Sequence, residues 1–283
     1  MKEDIVIGLG EFLWDVLPAG KKAGGAPVNF AYHASRHGVQ GWAVSAVGDD
    51  SLGEELVKTA EEHGINLAVG TVGWPTGTVQ VSLKNGQPEY DICEGVAWDH
   101  IGLTEKSLRL ASQAKAICFG TLAQRHEDSR KTTAALVSAC PGDALKVYDI
   151  NLRQHYWSKD IIEESLAMAN VFKINDDELE LLKEVFDLQG KDTDDACRYM
   201  LEKWNLRLLI LTGGSKFSSV YYGDEVSTIA TPRVEVVDSV GAGDSFAGSF
   251  IASLICGKSM VEAHRAAVET AAKVCTRAGA WTE

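Results

Sequence analysis

Short apolar runs alternate with helical patterns along most of this chain. The apolar runs, which are typical of buried strands, are Ile5–Leu9, Trp42–Val47, Ala116–Phe119, Lys146–Ile150, Val171–Ile174 and Leu208–Leu211. Helical spacing marks Ser51–His63, Asp128–Ala139, Asp176–Phe186 and Ala196–Trp204. Strand–helix alternation predicts parallel strands joined by right-handed crossovers. We therefore expect one α/β domain over residues 1–283, a doubly wound, mostly parallel sheet with helices on both faces.

One region departs from this alternation. Thr76–Lys84 alternates apolar and polar residues, Asn85-Gly86 predicts a tight turn, and Pro88–Cys93 continues as a strand. Together with the preceding segment, residues 11–23, this region predicts a small β-sheet inserted into the α/β body. Its segments are about residues 11–23 and 66–100. A lid over a ligand and a contact between subunits are both compatible with such a sheet.

Composition limits the partners of the protein. Hydrophobic residues make up 45% of the 283 positions, which is ample for a core. The net charge of −13 argues against nucleic acid and against anionic membranes as partners, because their phosphates would be repelled. A basic-then-apolar leader and a membrane-length apolar run are both missing from the sequence. We expect a cytoplasmic protein.

The cysteines and histidines do not indicate a metal centre. Six cysteines occur without a Cys-x-x-Cys pair, so we expect reduced thiols rather than disulfides or zinc ligands. His33 and His37 lie four residues apart on a predicted helix. A helix face near a lid or subunit contact explains this spacing better than a metal site does.

The most informative motif is Asp238-Ser-Val-Gly-Ala-Gly-Asp244. Val234–Val237 before it reads as a strand, and Phe246–Cys256 after it reads as a helix. The amides of Gly241, Ala242 and Gly243 can therefore converge at a helix N-terminus, where they would hold an anion. Asp244 places a base in the same spot, as phosphoryl transfer to a hydroxyl requires. The alternative is an ordinary turn in which Asp244 caps the helix.

A second glycine-rich motif lies near the other end, at Ala23-Gly-Gly-Ala-Pro-Val-Asn29. Its proline suits the first turn of a helix, so Asn29 falls in that turn with an amide directed at a polyol. Gly24 and Gly25 allow the backbone to approach a sugar closely. Upstream, Asp15 follows an apolar strand, and its carboxylate can accept bonds from two adjacent hydroxyls. Asp15 without a ligand, in an exposed loop, is the alternative.

These two motifs resemble the two signatures of the PfkB/ribokinase family of carbohydrate kinases. Further landmarks in the family's order are Gly48-Asp-Asp-Ser-Leu-Gly53, Asp149-Ile-Asn-Leu-Arg153, Lys173-Ile-Asn-Asp-Asp-Glu178 and Leu211-Thr-Gly-Gly214. The resemblance covers about residues 5–280. Gly10–Pro18 and Gly24–Phe30 look most like the fructokinase branch.

The resemblance implies a ribokinase-like fold and a role for each motif residue. Asp244 would be the catalytic base, with Gly241, Ala242 and Gly243 as the anion hole. The sugar ligands would be Asp15, Gly24, Gly25, Asn29 and Arg153, and Arg153 could equally pair with a phosphate or with Asp149. Asn175, Thr212 and Gly214 would contact ATP, together with Gly241 and Gly243. The small sheet would be a lid that often serves for dimerisation, which implies a homodimer.

A metal role is implied for Glu178. In the family reading, Asn175 and Glu178 order Mg²⁺ through water, as Mg²⁺ tolerates. A capping box at the start of a helix explains the same pair. The chain also departs from the family pattern at Phe217, where a further glycine is usual, which leaves the geometry of the loop after Thr212 open.

The expected activity is ATP-dependent phosphorylation of a sugar hydroxyl, with MgATP as donor and fructose as the favoured acceptor. A monovalent cation such as K⁺ is a further candidate cofactor. The alternatives are a kinase for 2-keto-3-deoxygluconate, ribose or a nucleoside, and a non-catalytic sugar-binding protein on the same fold. The sequence lacks the P-loop motif, the dinucleotide fingerprint and the protein-kinase catalytic loop.

Overall fold

The computed structural model describes residues 4–17, 20–84 and 87–282, with side chains left undescribed at 81–90. The strands are β1 (Ile5–Leu9), β2 (Leu13–Leu17), β3 (Gly20–Gly24), β4 (Gln40–Gly48), β5 (Asn66–Val72), β6 (Gly77–Lys84), β7 (Gln87–Ile92), β8 (Ala114–Gly120), β9 (Leu145–Asp149), β10 (Val171–Asn175), β11 (Leu208–Thr212), β12 (Phe217–Tyr222) and β13 (Glu225–Ala230). The helices are α1 (Ala26–Ser35), α2 (Ser51–Glu62), α3 (Glu105–Ala111), α4 (Glu127–Ala139), α5 (Lys159–Met168), α6 (Asp176–Val185), α7 (Thr193–Lys203), α8 (Ala242–Ile255) and α9 (Met260–Cys275).

The large sheet has the predicted doubly wound topology. Its strand order is β13-β12-β11-β10-β9-β8-β1-β4-β5, with parallel pairing from β11 through β5. The strands predicted from apolar runs are all present, and they lie at the centre of this sheet. The order reverses between β1 and β8, because the chain proceeds to β4 and β5 on one side and to β9, β10 and β11 on the other. Crevices at such switch points receive ligands in open α/β sheets.

Helices cover both faces of this sheet. On one face, α3 to α7 bury residues such as Leu136, Ile162 and Leu182. On the other face, α1, α8 and α9 pack around Phe30 and Phe250. Each face buries alternate residues of the strands, which explains why the central strands are apolar on both sides.

The second sheet has four strands in the order β3-β2-β6-β7. The predicted hairpin is present as the antiparallel pair β6–β7, while its predicted turn, Asn85-Gly86, lies outside the described residues. The predicted segment 66–100 was too broad, because residues 66–72 form β5 and pair with β4 at the edge of the large sheet. β5 follows α2 as an ordinary crossover, so its hydrogen bonds belong to the parallel ladder.

The strand predicted at Val234–Val237 was wrong. This segment is irregular, with a bend at Val237, and it pairs with no described strand; Val236 and Val237 are each 62% exposed. The edge next to it is completed instead by the antiparallel hairpin β12–β13, which the apolar pattern did not reveal. Valine-rich sequence alone does not make a strand where no ladder partner is within reach.

Two further expectations concern thiols and membranes. All six cysteines are free, and Cys118, Cys140 and Cys197 are buried as small apolar side chains. Within the described part of the chain, every helix falls short of the length and apolarity that crossing a membrane requires.

Helix α1 lies unusually close to the large sheet, because glycines face it from two strands. A Cβ at Gly8 in β1 would lie 1.9 Å from the carbonyl oxygen of Pro27. A Cβ at Gly41 in β4 would lie 1.9 Å from the carbonyl oxygen of Ala31. Backbone atoms cannot yield as a flexible side chain can, so any larger residue displaces the helix. The position of Asn29 on α1 therefore depends on these glycines.

We predict that Gly41→Ala lowers the free energy of unfolding by about 1–3 kcal/mol, because its methyl group overpacks against the α1 backbone. The matched control is Gly70→Ala in β5, where an added Cβ meets nothing within 4 Å. Urea-induced unfolding measures both. Equal stability of the two variants would contradict the close packing of α1.

Candidate active site

Polar and charged residues gather at the carboxyl ends of the parallel strands. Glu11 follows β1, Gly120 ends β8 and Asp149 ends β9. Together with Asn151 they line a small recess at the switch point of the sheet. The Gly241–Asp244 loop reaches the same edge from an irregular segment rather than from a strand. Parallel-strand topology thus brings residues from separate parts of the sequence together at one edge of the sheet.

The Gly241–Asp244 loop begins α8. Gly241 is the N-cap residue, with a left-handed φ of 79° that favours glycine, and no side chain caps the first turn. Asp244 is therefore not the helix cap, and that alternative was wrong. The Ala242 amide donates to the Ser239 carbonyl oxygen at 3.3 Å. The uncapped first turn suits an anion, although the Ala242 amide is already engaged in this turn.

Asp244 is held by a residue from the opposite end of the chain. Asn29 donates from Nδ2 to Asp244 Oδ2 at 2.8 Å, and Asn29 Oδ1 accepts from Trp281 Nε1 at 2.8 Å. Asn29 is 3% exposed, so its orientation is determined by these two bonds. From the sequence, Asn29 was predicted to bind a sugar, and its hydrogen bond to Asp244 was not foreseen. Its amide carries a second hydrogen that can still reach a ligand.

The surroundings of Asp244 make it a better base than an exposed aspartate. Burial, followed by the nearby charge of Asp149, raises its pKa to about 6. The hydrogen bond from Asn29 and the charges of Lys173 and Arg153 act in the opposite direction. A carboxylate with a raised pKa accepts a proton more readily and is still ionised at neutral pH.

A buried ion pair lies beside the Gly241–Asp244 loop. Lys173 Nζ donates to both oxygens of Asp149 at 2.9 and 2.8 Å, and both residues are 7% exposed. A Cβ on Gly243 would come within 3.4 Å of Lys173 Nζ, so the ammonium group lies against this loop. Both residues lie in segments that resemble the family pattern, but the sequence predicted no role for Lys173. Strand topology explains their contact, since β9 and β10 are neighbours.

Glu11 is a site residue that the sequence analysis did not single out. It is 4% exposed, and its Oε2 is buried without a hydrogen-bond partner among the described residues. Burial raises its pKa to about 7, against the opposing charges of Arg153 and Arg125. The signal was available, because an acid directly after the first strand lies at the switch point of a doubly wound sheet.

Asp15 lies at the start of the small sheet and not in an isolated loop. It is in β2, opposite Lys22 of β3, and a Cβ on Gly24 would lie 3.2 Å from Asp15 Oδ2. Burial raises its pKa to about 6. Lys22 Nζ donates to Asp238 Oδ2 at 2.8 Å, which ties the small sheet to the motif before α8. Gly25, with a positive φ of 120°, is the N-cap of α1, and a Cβ there would strike the Glu11 carbonyl oxygen at 2.1 Å.

Asn175 and Glu178 form the capping box that the sequence allowed. Glu178 N donates to Asn175 Oδ1 at 2.8 Å, and Asn175 N donates to Glu178 Oε2 at 2.9 Å. The other carboxylate oxygen of Glu178 accepts from Leu152 N at 2.9 Å. Each carboxylate oxygen of Glu178 thus accepts one backbone N–H and retains a second lone pair. This donor set fits a metal ion held through water and does not fit direct coordination.

The remaining predicted residues lie on the β10–β11 side. Thr212 ends β11 in register with Asn175, and Gly214 has a left-handed φ of 54°. Phe217, where the family pattern has glycine, begins β12 and places its ring where a Cβ on Gly213 would be only 2.7 Å away. Arg153 is exposed and donates to the Leu152 carbonyl oxygen, while Asp149 pairs with Lys173 instead.

The chain belongs to the pfkB family of carbohydrate kinases, whose profile matches residues 18–282. It is accordingly a sugar kinase, a phosphotransferase with an alcohol group as acceptor. Among its relatives, fructokinase-2 of Oryza sativa subsp. japonica is 31% identical over 277 residues, which are 89% of this chain and 80% of that protein. An ATP-dependent 6-phosphofructokinase of Thermoanaerobacterium thermosaccharolyticum is 29% identical over 270 residues, 89% of this chain and 82% of that protein.

Solved structures have the same fold. A sugar kinase of Pyrococcus horikoshii in complex with ATP matches with a TM-score of 0.81 at 25% identity, over 98% of this chain and 94% of that one. A fructokinase of Vibrio cholerae, with bound fructose, ADP and calcium ion, matches with a TM-score of 0.83 at 20% identity, over 99% of this chain and 95% of that one. The ribokinase-like fold expected from the motifs is confirmed.

We predict that kcat/KM for the sugar declines in acid with a midpoint near the pKa of about 6 of Asp244, because a protonated base cannot accept the hydroxyl proton. In Asn29→Ala this midpoint should move to higher pH, since the hydrogen bond that lowers the pKa of Asp244 is lost. Steady-state rates measured across the pH range test both. A midpoint that stays in place in Asn29→Ala but disappears in Glu11→Gln would identify Glu11 as the titrating group instead.

Proposed function

We propose that the protein transfers the γ-phosphoryl group of MgATP to a hydroxyl of fructose. The observation that carries this proposal is the half-buried Asp244 carboxylate, fixed by Asn29 at the uncapped N-terminus of α8. A base and an anion site in one helical turn serve a hydroxyl and a phosphate that must meet. A protein that only bound sugar would have no use for this combination.

In the proposed reaction, Asp244 accepts the proton of the acceptor hydroxyl as its oxygen bonds to the γ-phosphorus. The bond from that phosphorus to the bridging oxygen breaks, and ADP leaves with the electron pair. The first-turn amides of Gly241 and Gly243 stabilise charge on the transferred group, and Lys173 adds positive potential from below the loop. Arg153, exposed on the same side, is available to a phosphate oxygen.

We propose that the nucleotide lies beyond β10 and β11, against Asn175, Thr212 and Gly214. Mg²⁺, when bound, neutralises phosphate charge, and Glu178 would hold it through water because both its oxygens already accept backbone amides. Burial also raises the pKa of Glu178. A monovalent cation such as K⁺ is a further candidate cofactor, and the described residues of this region do not define a ligand set for it.

A neutral sugar is favoured because nearby cationic side chains already form ion pairs with carboxylates. Lys21 pairs with Glu55, Lys22 with Asp238, and Arg125 with Asp99. A sugar phosphate or a sugar acid would have to break one of these pairs or compete for Arg153. We propose that Asp15 and Asn29 bind sugar hydroxyls, with Gly24 and Gly25 allowing the close approach.

We further propose that the small sheet is a lid belonging to the same single domain. Leu13 of β2 and Val79 of β6 pack in one hydrophobic cluster with Ile7 of β1, which supports one cooperative unit. The Lys22–Asp238 bond would link closure of the sheet to the loop that carries Asp244. Closure over the sugar would exclude water and limit ATP hydrolysis. A homodimer through this sheet is part of the proposal.

We predict that Asp244→Asn lowers turnover by about 10²–10⁴-fold, because general-base catalysis contributes this much. The fold should persist and gain stability at pH values above the pKa of about 6, since a carboxylate whose pKa is raised by folding destabilises the folded state when ionised. ADP release and thermal unfolding, measured on the same preparation, check the two halves. Near wild-type turnover in the folded variant would refute Asp244 as the base.

The acceptor is tested by ADP release from MgATP with a panel of sugars: fructose, fructose 6-phosphate, ribose, 2-keto-3-deoxygluconate and adenosine. We expect the highest kcat/KM for fructose. Preference for the phosphate or the acid would overturn the argument from paired cations and would implicate Arg153, which Arg153→Gln would then test. Binding of sugar without ADP release from any member would favour the non-catalytic alternative.

A further inference from the structure

Three potential metal ligands meet on the outside of the molecule, apart from the catalytic residues. His100 ends the short 3₁₀ turn Ala97–His100, His126 is the N-cap residue of α4, and Asp128 lies in the first turn of α4. One donor atom of each lies within 4.8 Å of the other two. We propose that these residues bind a divalent transition-metal ion, with Zn²⁺ as the best-suited ion.

The cluster is largely arranged for an ion. Asp128 Oδ2 lies 2.7 Å from His100 Nδ1 and 3.7 Å from His126 Nδ1. A tetrahedral zinc site with bonds of about 2.0–2.1 Å has ligand atoms roughly 3.3 Å apart, which falls between these two distances. Small side-chain shifts therefore suffice. Binding at His100 Nδ1 moves the proton of that imidazole to Nε2, and the ion replaces the proton between the two side chains.

The imidazole rings are held in place by packing. The His100 ring stacks on Trp74 with centroids 4.2 Å apart and 9° between the planes, and the His126 ring lies 4.2 Å from His100 on another side. Side chains that are already fixed lose less conformational entropy on binding. Asp128 is more exposed, and the hydrogen bond from His100 lowers its pKa, so it is ionised at neutral pH.

The donor set determines which ion fits. Two imidazoles and one carboxylate, with water in the fourth position, are ligands that Zn²⁺ takes in proteins. Mg²⁺ and Ca²⁺ prefer oxygen ligands and would gain little from two nitrogens. This site is therefore chemically distinct from the one for MgATP. His100 and His126 are far apart in the sequence, which is why spacing did not reveal the pair.

An ion here would reinforce a junction next to the small sheet. The neighbours of the two histidines, Asp99 and Arg125, form a buried bridge with hydrogen bonds of 2.7 and 2.9 Å. Arg125 also donates to the carbonyl oxygen of Cys93, directly after β7. The buried Asp99–Arg125 bridge already joins the segment around residue 100 to the segment around residue 126. The ion would join the same two segments at the surface of the protein. We expect Zn²⁺ to raise the unfolding temperature.

The test is calorimetric titration of the chelator-treated, dialysed protein with ZnCl₂ in excess MgCl₂, which fills any site for hard cations. We expect one Zn²⁺ per chain. His126→Asn keeps a capping side chain on α4 but removes an imidazole, and it should weaken zinc binding by about tenfold or more. Asp128→Asn should act likewise. The matched control is His155→Ala, which removes an exposed imidazole that faces Glu94 at 3.8 Å outside the cluster.

Two outcomes would overturn the proposal. One is no binding at millimolar Zn²⁺, or equal affinity in wild type, His126→Asn and Asp128→Asn. The other is a thiolate-to-metal charge-transfer band when Co²⁺ replaces Zn²⁺, which would place the ion on a cysteine. Sugar-kinase activity and circular dichroism verify that each variant is folded, and a zinc-dependent rise in unfolding temperature that is lost in both cluster variants supports the site.

Discussion

The hydrogen bond between Asn29 and Asp244 unites the two glycine-rich motifs, which come from opposite ends of the chain. It exists because α1 and α8 pack at backbone contact: a Cβ on Gly248 would lie 2.5 Å from the Phe30 carbonyl oxygen. The same helix lies against β1 and β4 through Gly8 and Gly41. The contact between Asn29 and Asp244 is therefore a result of small residues at three surfaces of α1. Trp281, which follows α9 in the sequence, then fixes the Asn29 amide by donating a hydrogen bond to its Oδ1.

Negative charge near the Gly241–Asp244 loop is opposed by a buried lysine and by the polarity of a helix N-terminus. The chain has a net charge of −13, and the proposed nucleotide substrate is also an anion. Burial raises the pKa values of Asp244, Glu11 and Asp15, but Asp244 and Asp15 are still mostly ionised at neutral pH. Lys173 is held charged by Asp149 and faces the Gly243 loop. Local helix polarity and this one buried cation oppose the overall negative potential.

Among the ties between the small sheet and the body, two differ sharply in burial. Lys22 reaches Asp238 in the loop before α8, and Arg125 reaches Cys93 after β7 while it is held by Asp99. The first tie is half exposed and can open at little energetic cost, whereas the second is buried. The buried tie makes the β7 end of the sheet its firm end, and the Lys22–Asp238 tie near Asp15 is looser. The His100–His126–Asp128 cluster lies beside the firm end.

Local sequence determined the central strands, most helices, the hairpin and the two glycine-rich motifs, because apolar period, glycine and proline act within a few residues. It failed at Val234–Val237, where strand formation depends on a partner, and at β5, whose sheet is decided by its neighbour β4. Only the tertiary structure decided that Asn29 donates to Asp244, that Lys173 lies against Gly243, and that Glu11 Oε2 is buried without a hydrogen-bond partner among the described residues. These contacts span long stretches of chain, and a pairing between distant residues leaves no trace in the spacing of either.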